Sequence, residues 1–257
     1  MPRLLELFAG TQSISRVARR LGWDCVSLDI CPRHSPDLCM SILDFDEAAY
    51  PREAFHFIWA SPPCEAFSVA KCRGRGGCAQ LLEADMAKAE ALVAKTKRIL
   101  AHFETAHYCV ENPKGSRLWN REVARELRAR SVLVSYCQYP AYSYRKTTRL
   151  AVSFPLSLPV CPGAGRCAKM IGTKHKQHAQ RGGGGAEAGG RVFHTLDQLH
   201  SIPEGLVEDL LAQLQEGRVR EARESMGLSN ADAAGGPAPA EDAQGGRLLR
   251  DRVASAL

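Results

Sequence analysis

Apolar and polar positions follow two alternating periods along the first 154 residues. Short apolar runs predict strands at "LLELF" (4–8), "CVSLDI" (25–30), "FHFIWA" (55–60), "HYCVEN" (107–112), "VLVSYCQY" (132–139) and "RLAVSF" (149–154). Helical spacing lies between them. In "SISRVARRLG" (13–22), Ile14, Val17, Ala18 and Leu21 share one face, with Ser13 as a cap and Gly22 as a stop. Residues 80–103 and "LWNREVARELRAR" (118–130) read as further helices. Strand followed by helix, repeated, predicts an α/β fold: a mixed, mostly parallel sheet with helices on both faces.

The pattern stops after Phe154. Residues 155–199 are rich in Pro, Gly and basic side chains and include "RGGGGAEAGG" (181–190), so they read as a short basic linker or recognition region. A helix returning to the core is expected at 200–217, with Pro203 in its first turn and Leu206, Val207, Leu210, Leu211 and Leu214 on one side. Residues 228–257 have no aromatic side chain and are expected to be a disordered tail. The expected organisation is therefore a catalytic core at 1–154, the basic region at 155–199, the returning helix and the tail.

A chain of 257 residues supports one large domain with at most a small appendage. No apolar run is long enough to cross a bilayer, and "MPRLLELFAG" lacks a cleavage-site pattern. We therefore expect an intracellular protein without membrane contact: nuclear in a eukaryote, in the nucleoid or cytoplasm if bacterial or viral. The ten cysteines are scattered through core-like segments, which suits reduced thiols rather than a disulfide scaffold. A net charge of +6 is compatible with a nucleic-acid partner and equally with an ordinary basic enzyme.

Chemistry concentrates at the carboxyl ends of the predicted strands, where open α/β sheets bind ligands. "ELFAGTQSIS" (6–15) places a glycine turn after the first strand, although Gln12 and Ser13 stand where further glycines might be. Asp29 ends the second strand, and Asp44 follows the next strand-like piece. In "SPPC" (61–64), Pro62 and Pro63 stiffen the backbone ahead of Cys64, as a thiol that must be aimed would need. "VENP" (110–113) brings Glu111 to the same edge.

"LFAG" (7–10), "SPPC" and "ENP", in this order and spacing, resemble the DNA cytosine-5 methyltransferase family. "YRKTTRLAVS" (144–153) is similar to its basic motif, usually Gln-x-Arg-x-Arg, and "HSIPEGLVEDLL" (200–211) to its final motif. The resemblance covers about residues 3–154 and 200–214. It implies a Rossmann-like fold, S-adenosylmethionine as cofactor and double-stranded DNA as partner. Cys64 would add to C6 of a flipped cytosine. Glu111, as the protonated acid, would hold N3 and the exocyclic amine. Arg149, matched to an arginine of the basic motif, completes the implied catalytic set. Phe8, Ala9, Gly10, Asp29, Ile30, Asp44 and Pro62 would surround the cofactor, with Asp29 at the ribose and Asp44 at the adenine. Ser61, Pro63, Asn112 and Lys146 would meet the substrate, as would Arg145 and the loop residues Lys71, Arg73 and Arg75. The region before the final motif is short, so sequence readout would be brief, relaxed or supplied by a protein partner. An RNA substrate and a non-catalytic nucleic-acid-binding relative stay open.

In "CPGAGRCAKMIGTKHKQH" (161–178), Cys161, Cys167, His175 and His178 carry zinc-binding groups. Their spacing is not that of a standard finger, so a basic loop without metal is expected.

Overall fold

The computed structural model describes residues 1–68, 79–104, 106–140, 142, 144–178 and 195–225. The loop with Lys71, Arg73 and Arg75, the glycine run at 181–190 and the tail at 228–257 lie outside them. In chain order the strands are β1 (Arg3–Leu7), β2 (Asp24–Asp29), β3 (Leu38–Cys39), β4 (Phe57–Ala60), β5 (His107–Pro113) and β6 (Ser131–Ser135). They continue with β7 (Tyr144–Arg145), β8 (Thr147–Val152), β9 (Met170–Ile171), β10 (Lys174–His175) and β11 (Gln177–His178). The helices are α1 (Ser13–Arg20), α2 (Ala79–His102), α3 (Arg125–Ala129), α4 (Leu196–His200) and α5 (Glu204–Ser225).

Seven strands form one sheet in the order β3-β2-β1-β4-β5-β8-β6. Neighbours from β3 to β5 run parallel, and β8 alone is reversed, antiparallel to both β5 and β6. Chain order reverses beside the central β1, which opens a crevice at the carboxyl ends of β1 and β4. A strand covered on both faces is apolar throughout, and β1 and β4 are buried almost end to end. Leu4 joins the core under α1 and α5, while Leu5 and Leu7 join the opposite core, under α2. The fold is thus the Rossmann-like α/β arrangement, with helices on both faces. Helix α5 contributes Leu206, Val207, Leu210, Leu211 and Leu214, each at most 1% exposed.

Two local features depart from the sequence pattern. The helix expected over 118–130 is broken into 3-10 turns at Arg117–Asn120 and Glu122–Ala124, followed by the short α3. The Arg128 guanidinium donates to the Trp119 carbonyl at 3.1 Å, and the Trp119 indole N–H donates to the Pro113 carbonyl at 2.9 Å. These bonds divert the backbone from a continuous ladder. The cap of α1 is also not Ser13. Glu6, reaching from β1, accepts the Ile14 and Ser15 backbone N–H groups at 3.2 and 2.8 Å. The Ser13 hydroxyl instead accepts the Ile202 N–H at 3.1 Å.

Burial pushes the Glu6 carboxyl up to about 7, against the opposing pull of Ser15, Ile14 and Arg19. The folded state then keeps a proton that the unfolded chain releases. This contribution to stability is complete below the ordinary value of 4.5 and is lost as pH rises through about 7. We expect Glu6→Gln, which cannot ionise, to gain on the wild type by about 3 kcal/mol across that window. Urea unfolding at a series of pH values checks this, and a gap independent of pH would refute it.

Candidate active site

A cavity of about 370 Å³ opens at the carboxyl ends of β1, β2, β4 and β5. Its floor is the turn from β1 into α1, where Phe8, Gly10 and Gln12 have φ of 58°, 48° and 53°. Three left-handed residues within five wind the backbone tightly, and only Gly10 is free of the Cβ penalty. Hydrogen bonds hold the turn in place. The Gly10 N–H donates to Asp29 Oδ2 at 2.8 Å, and Asp29 Oδ1 accepts the Cys31 N–H at 2.8 Å. The Gln12 side chain donates to the Ser35 carbonyl and accepts from Arg19, so a position expected to suit glycine is locked by an amide instead. Ile30, at the rim, is 72% exposed.

The cavity is lined by Phe8, Ala9, Gly10, Asp29 and Ile30 at one end, and by Ser61, Pro62, Pro63, Cys64, Glu111 and Lys146 at the other. Asp44 is not among its lining residues. The chain turns after Ser41, so Ser41 and Ile42 face the cavity, while Asp44 is exposed beside a separate hollow with Arg52 and Arg98.

Cys64 follows β4 on a loop that the neighbouring strand secures. The fully buried Asn112 donates from Nδ2 to the Pro62 carbonyl at 2.8 Å. Ser61 Oγ accepts the Trp59 indole N–H at 2.8 Å. Asn112 therefore positions the cysteine loop and is not placed to touch a substrate. Glu111, 7% exposed, accepts the Thr148 hydroxyl.

Strand register turns Arg149, expected in the catalytic set, away from the face of Glu111. In the β5–β8 pair, Glu111 faces Leu150 and Asn112 faces Arg149. Side chains alternate across a sheet, so Thr148 shares the face of Glu111 and Arg149 takes the other. Arg149 Nη1 donates to Ser131 Oγ at 2.7 Å, and its guanidinium lies 5.6 Å from the Trp119 ring centre. Among the described residues, the lysine or arginine that lines the cavity is Lys146, two residues before Thr148. Its Nζ donates to the Leu199 carbonyl at 2.9 Å and lies 4.6 Å from the centre of the Tyr136 ring. The backbone of Arg145 pairs with His178; its side chain, like those of Lys71, Arg73 and Arg75, lies outside the described residues.

Burial raises the Cys64 thiol above its ordinary range, Glu111 adds to the rise, and Lys146 opposes it. Burial lowers the Lys146 ammonium, while Glu111 and Cys64 support its charge. Three groups thus tune one another in one space. Glu6, Ser41, Ile42, His200 and Ile202 also line it, and sequence reasoning did not single them out. Strict two-residue alternation over 144–150 would have separated Lys146 and Thr148 from Arg149. Nothing local marks Glu6, which reads as one polar residue in an apolar strand.

A sheet with one reversed strand, and a thiol beside a carboxyl in the crevice at its strand ends, defines a Rossmann-like methyltransferase. No protein-family profile matches the chain. A frog virus 3 (isolate Goorha) protein described as "Probable DNA (cytosine-5)-methyltransferase" is 34% identical over 176 residues, spanning 65% of this chain and 78% of that protein. The chain belongs to the DNA (cytosine-5)-methyltransferase family. Solved structures that resemble it include the Entamoeba histolytica methyltransferase EhMeth, at 12% identity and a TM-score of 0.45, covering 63% of this chain and 56% of that one. The S. pombe Dnmt2 methyltransferase has 15% identity and a TM-score of 0.37, with coverage of 61% and 51%. The chain spans about half the length of these two solved chains.

The electrostatics predict the reactivity of the thiol in the free protein. Glu111→Gln removes a negative charge that disfavours thiolate, so Cys64 should alkylate severalfold faster at pH 8. Lys146→Met removes the opposing cation and should slow it. Peptide-resolved mass spectrometry after iodoacetamide pulses separates Cys64 from the exposed Cys31 and Cys39. Equal rates in all three proteins would show that the thiol does not sense these charges.

Proposed function

We propose that the protein transfers a methyl group from S-adenosylmethionine to C5 of a cytosine in duplex DNA, through a Cys64 adduct at C6 of a flipped base. The observation that carries this reading is the meeting of Cys64, Glu111 and Lys146 in the cavity whose far end is the β1 and β2 turn.

The residues present fit the cofactor. Each Asp29 oxygen accepts one backbone N–H and keeps a lone pair for a ribose hydroxyl. Ile30 offers an exposed apolar face to an adenine ring, and Ser41 adds a hydroxyl beside it. When bound, S-adenosylmethionine supplies an electrophilic methyl group.

The chain's own residues supply the rest. Cytosine C5 is a weak nucleophile and lies inside the base stack, so the base must leave the duplex. The Cys64 sulfur, deprotonated, adds to C6, and the displaced electron pair makes C5 nucleophilic. Lys146 favours the thiolate. Glu111 meets the N3 and amine edge of the base, held there by Thr148. Once C5 had gained the methyl group, its proton would pass to a water-borne base, and the electron pair left behind would expel the Cys64 sulfur from C6 as the thiolate. Asn112 holds the sulfur's approach through the Pro62 carbonyl.

Duplex DNA containing 5-fluorocytosine tests the adduct, because fluorine at C5 cannot leave as a proton. With S-adenosylmethionine present, we expect a covalent DNA complex mapping to the Cys64 peptide. Tritiated methyl groups should enter DNA at C5 of cytosine. Cys64→Ser should form no complex and transfer no methyl, while binding cofactor within about twofold of wild type. Retained turnover in that variant would sink the covalent mechanism, and label in RNA alone would move the substrate. Asp29→Ala should weaken cofactor binding by roughly 1.5–3 kcal/mol in calorimetry; unchanged affinity would remove Asp29 from the site.

A further inference from the structure

The described part of the segment between β8 and α4, residues 153–178, has almost no core of its own. Leu156 and Leu158 pack on the main core at its start. From 159 to 177, the only buried side chains are Cys167 and His175. Val160 and Ile171 are 50% and 58% exposed. Among the described residues, strands β9 and β10, two residues each, pair only with each other. A hairpin this short is not stable in water by itself. Apolar burial therefore does not explain why it sits where it does.

The two buried side chains belong to a cluster of four. Sulfurs of Cys137, Cys161 and Cys167 and a ring nitrogen of His175 all lie within 4.8 Å of one another. Cys161 Sγ is 3.4 Å from His175 Nε2, and Cys167 Sγ is 3.8 Å from it. A tetrahedron built on bonds of about 2.3 Å to sulfur and about 2.0–2.1 Å to nitrogen has edges of about 3.5–3.8 Å. The Gln138 side-chain N–H groups reach Cys137 Sγ at 3.3 Å and Cys167 Sγ at 3.7 Å. The Lys169 backbone N–H donates to the Cys167 sulfur. Such N–H···S bonds stabilise thiolates around a metal. Three thiols and one imidazole are soft donors that select zinc over hard cations.

We infer that Cys137, Cys161, Cys167 and His175 bind a structural zinc ion, which staples residues 160–178 to the turn that follows β6. Four protein donors close the coordination sphere, so the ion holds structure and leaves no position for a substrate. Cys137 lies in the turn Tyr136–Gln138, far along the chain from the other three. His178, the fourth donor expected from the sequence, pairs through its backbone with Arg145, and its side chain lies outside the described residues. The staple places Lys174 and His175 along a hollow of about 390 Å³ that also contains Lys114 and Lys146. Lys146 lines the catalytic cavity as well, so the zinc-held hairpin forms a basic wall next to the site.

The test uses the full chain without a tag, kept reduced, loaded with zinc and desalted. Elemental analysis should find about one zinc per chain. Cobalt in its place should give the near-ultraviolet thiolate charge-transfer band and strong visible bands of a tetrahedral site. Cys137→Ser should retain at least about tenfold less metal, and Cys31→Ser, at an exposed thiol, should match the wild type. His175→Cys should keep the ion and strengthen the charge-transfer band. Wild-type protein that retains under about a tenth of an equivalent of zinc overturns the assignment. So does a Cys137→Ser protein with wild-type metal content and cobalt spectrum.

Discussion

The buried hydrogen bond from Asn112 to the Pro62 carbonyl ties the loop of Cys64 to the strand of Glu111. Parallel pairing of β4 with β5 brings the two strand ends level, Ala60 beside Val110. Beyond that register the sheet gives no further hold on the loop. The two prolines narrow its conformations, and the Asn112 amide selects among those left. Because Asn112 and Glu111 are adjacent on β5, their side chains leave opposite faces. One braces the thiol from behind while the other faces the cavity.

The other wall of the cavity depends on residues 198–209. Tyr142 and Tyr144 hydrogen-bond to Ser201 Oγ and the Gln198 carbonyl at 2.8 and 3.0 Å, and Lys146 bonds to the Leu199 carbonyl. Tyr139 reaches Asp209 on α5 at 3.1 Å. This row grips residues 198–209 and brings His200 and Ile202 to the cavity. Helix α5 then fills the face beside α1. Docking of residues 198–209 thus completes this side of the site. The same row holds Lys146 in place through the Leu199 carbonyl.

The electrostatic state of the cavity follows from that closure. A thiol shut into an apolar crevice with a carboxyl resists ionisation, and Lys146 is the group that opposes this. The half-buried Cys64 thiol is thus pulled in opposite directions by the two charged groups nearest to it in the cavity, Glu111 raising it and Lys146 lowering it.

The hydrophobic pattern alone determined the α/β sheet, the helices on both faces and the leucine stripe of α5, because each is a local periodicity. It also marked Cys64 and Glu111, since chemistry at the carboxyl ends of strands is visible once the strands are located. Facing relations between distant segments decided the rest. The β5–β8 register put Lys146 and Thr148 on the side of Glu111 and turned Arg149 away. A turn after Ser41 kept Asp44 from the cavity, and Glu6, not Ser13, capped α1. Cys137 joined Cys161, Cys167 and His175 across elements that no spacing rule connects. Sequence period tells which side of its own strand a residue occupies. Only strand pairing and loop closure, which are long-range and cooperative, tell what stands opposite.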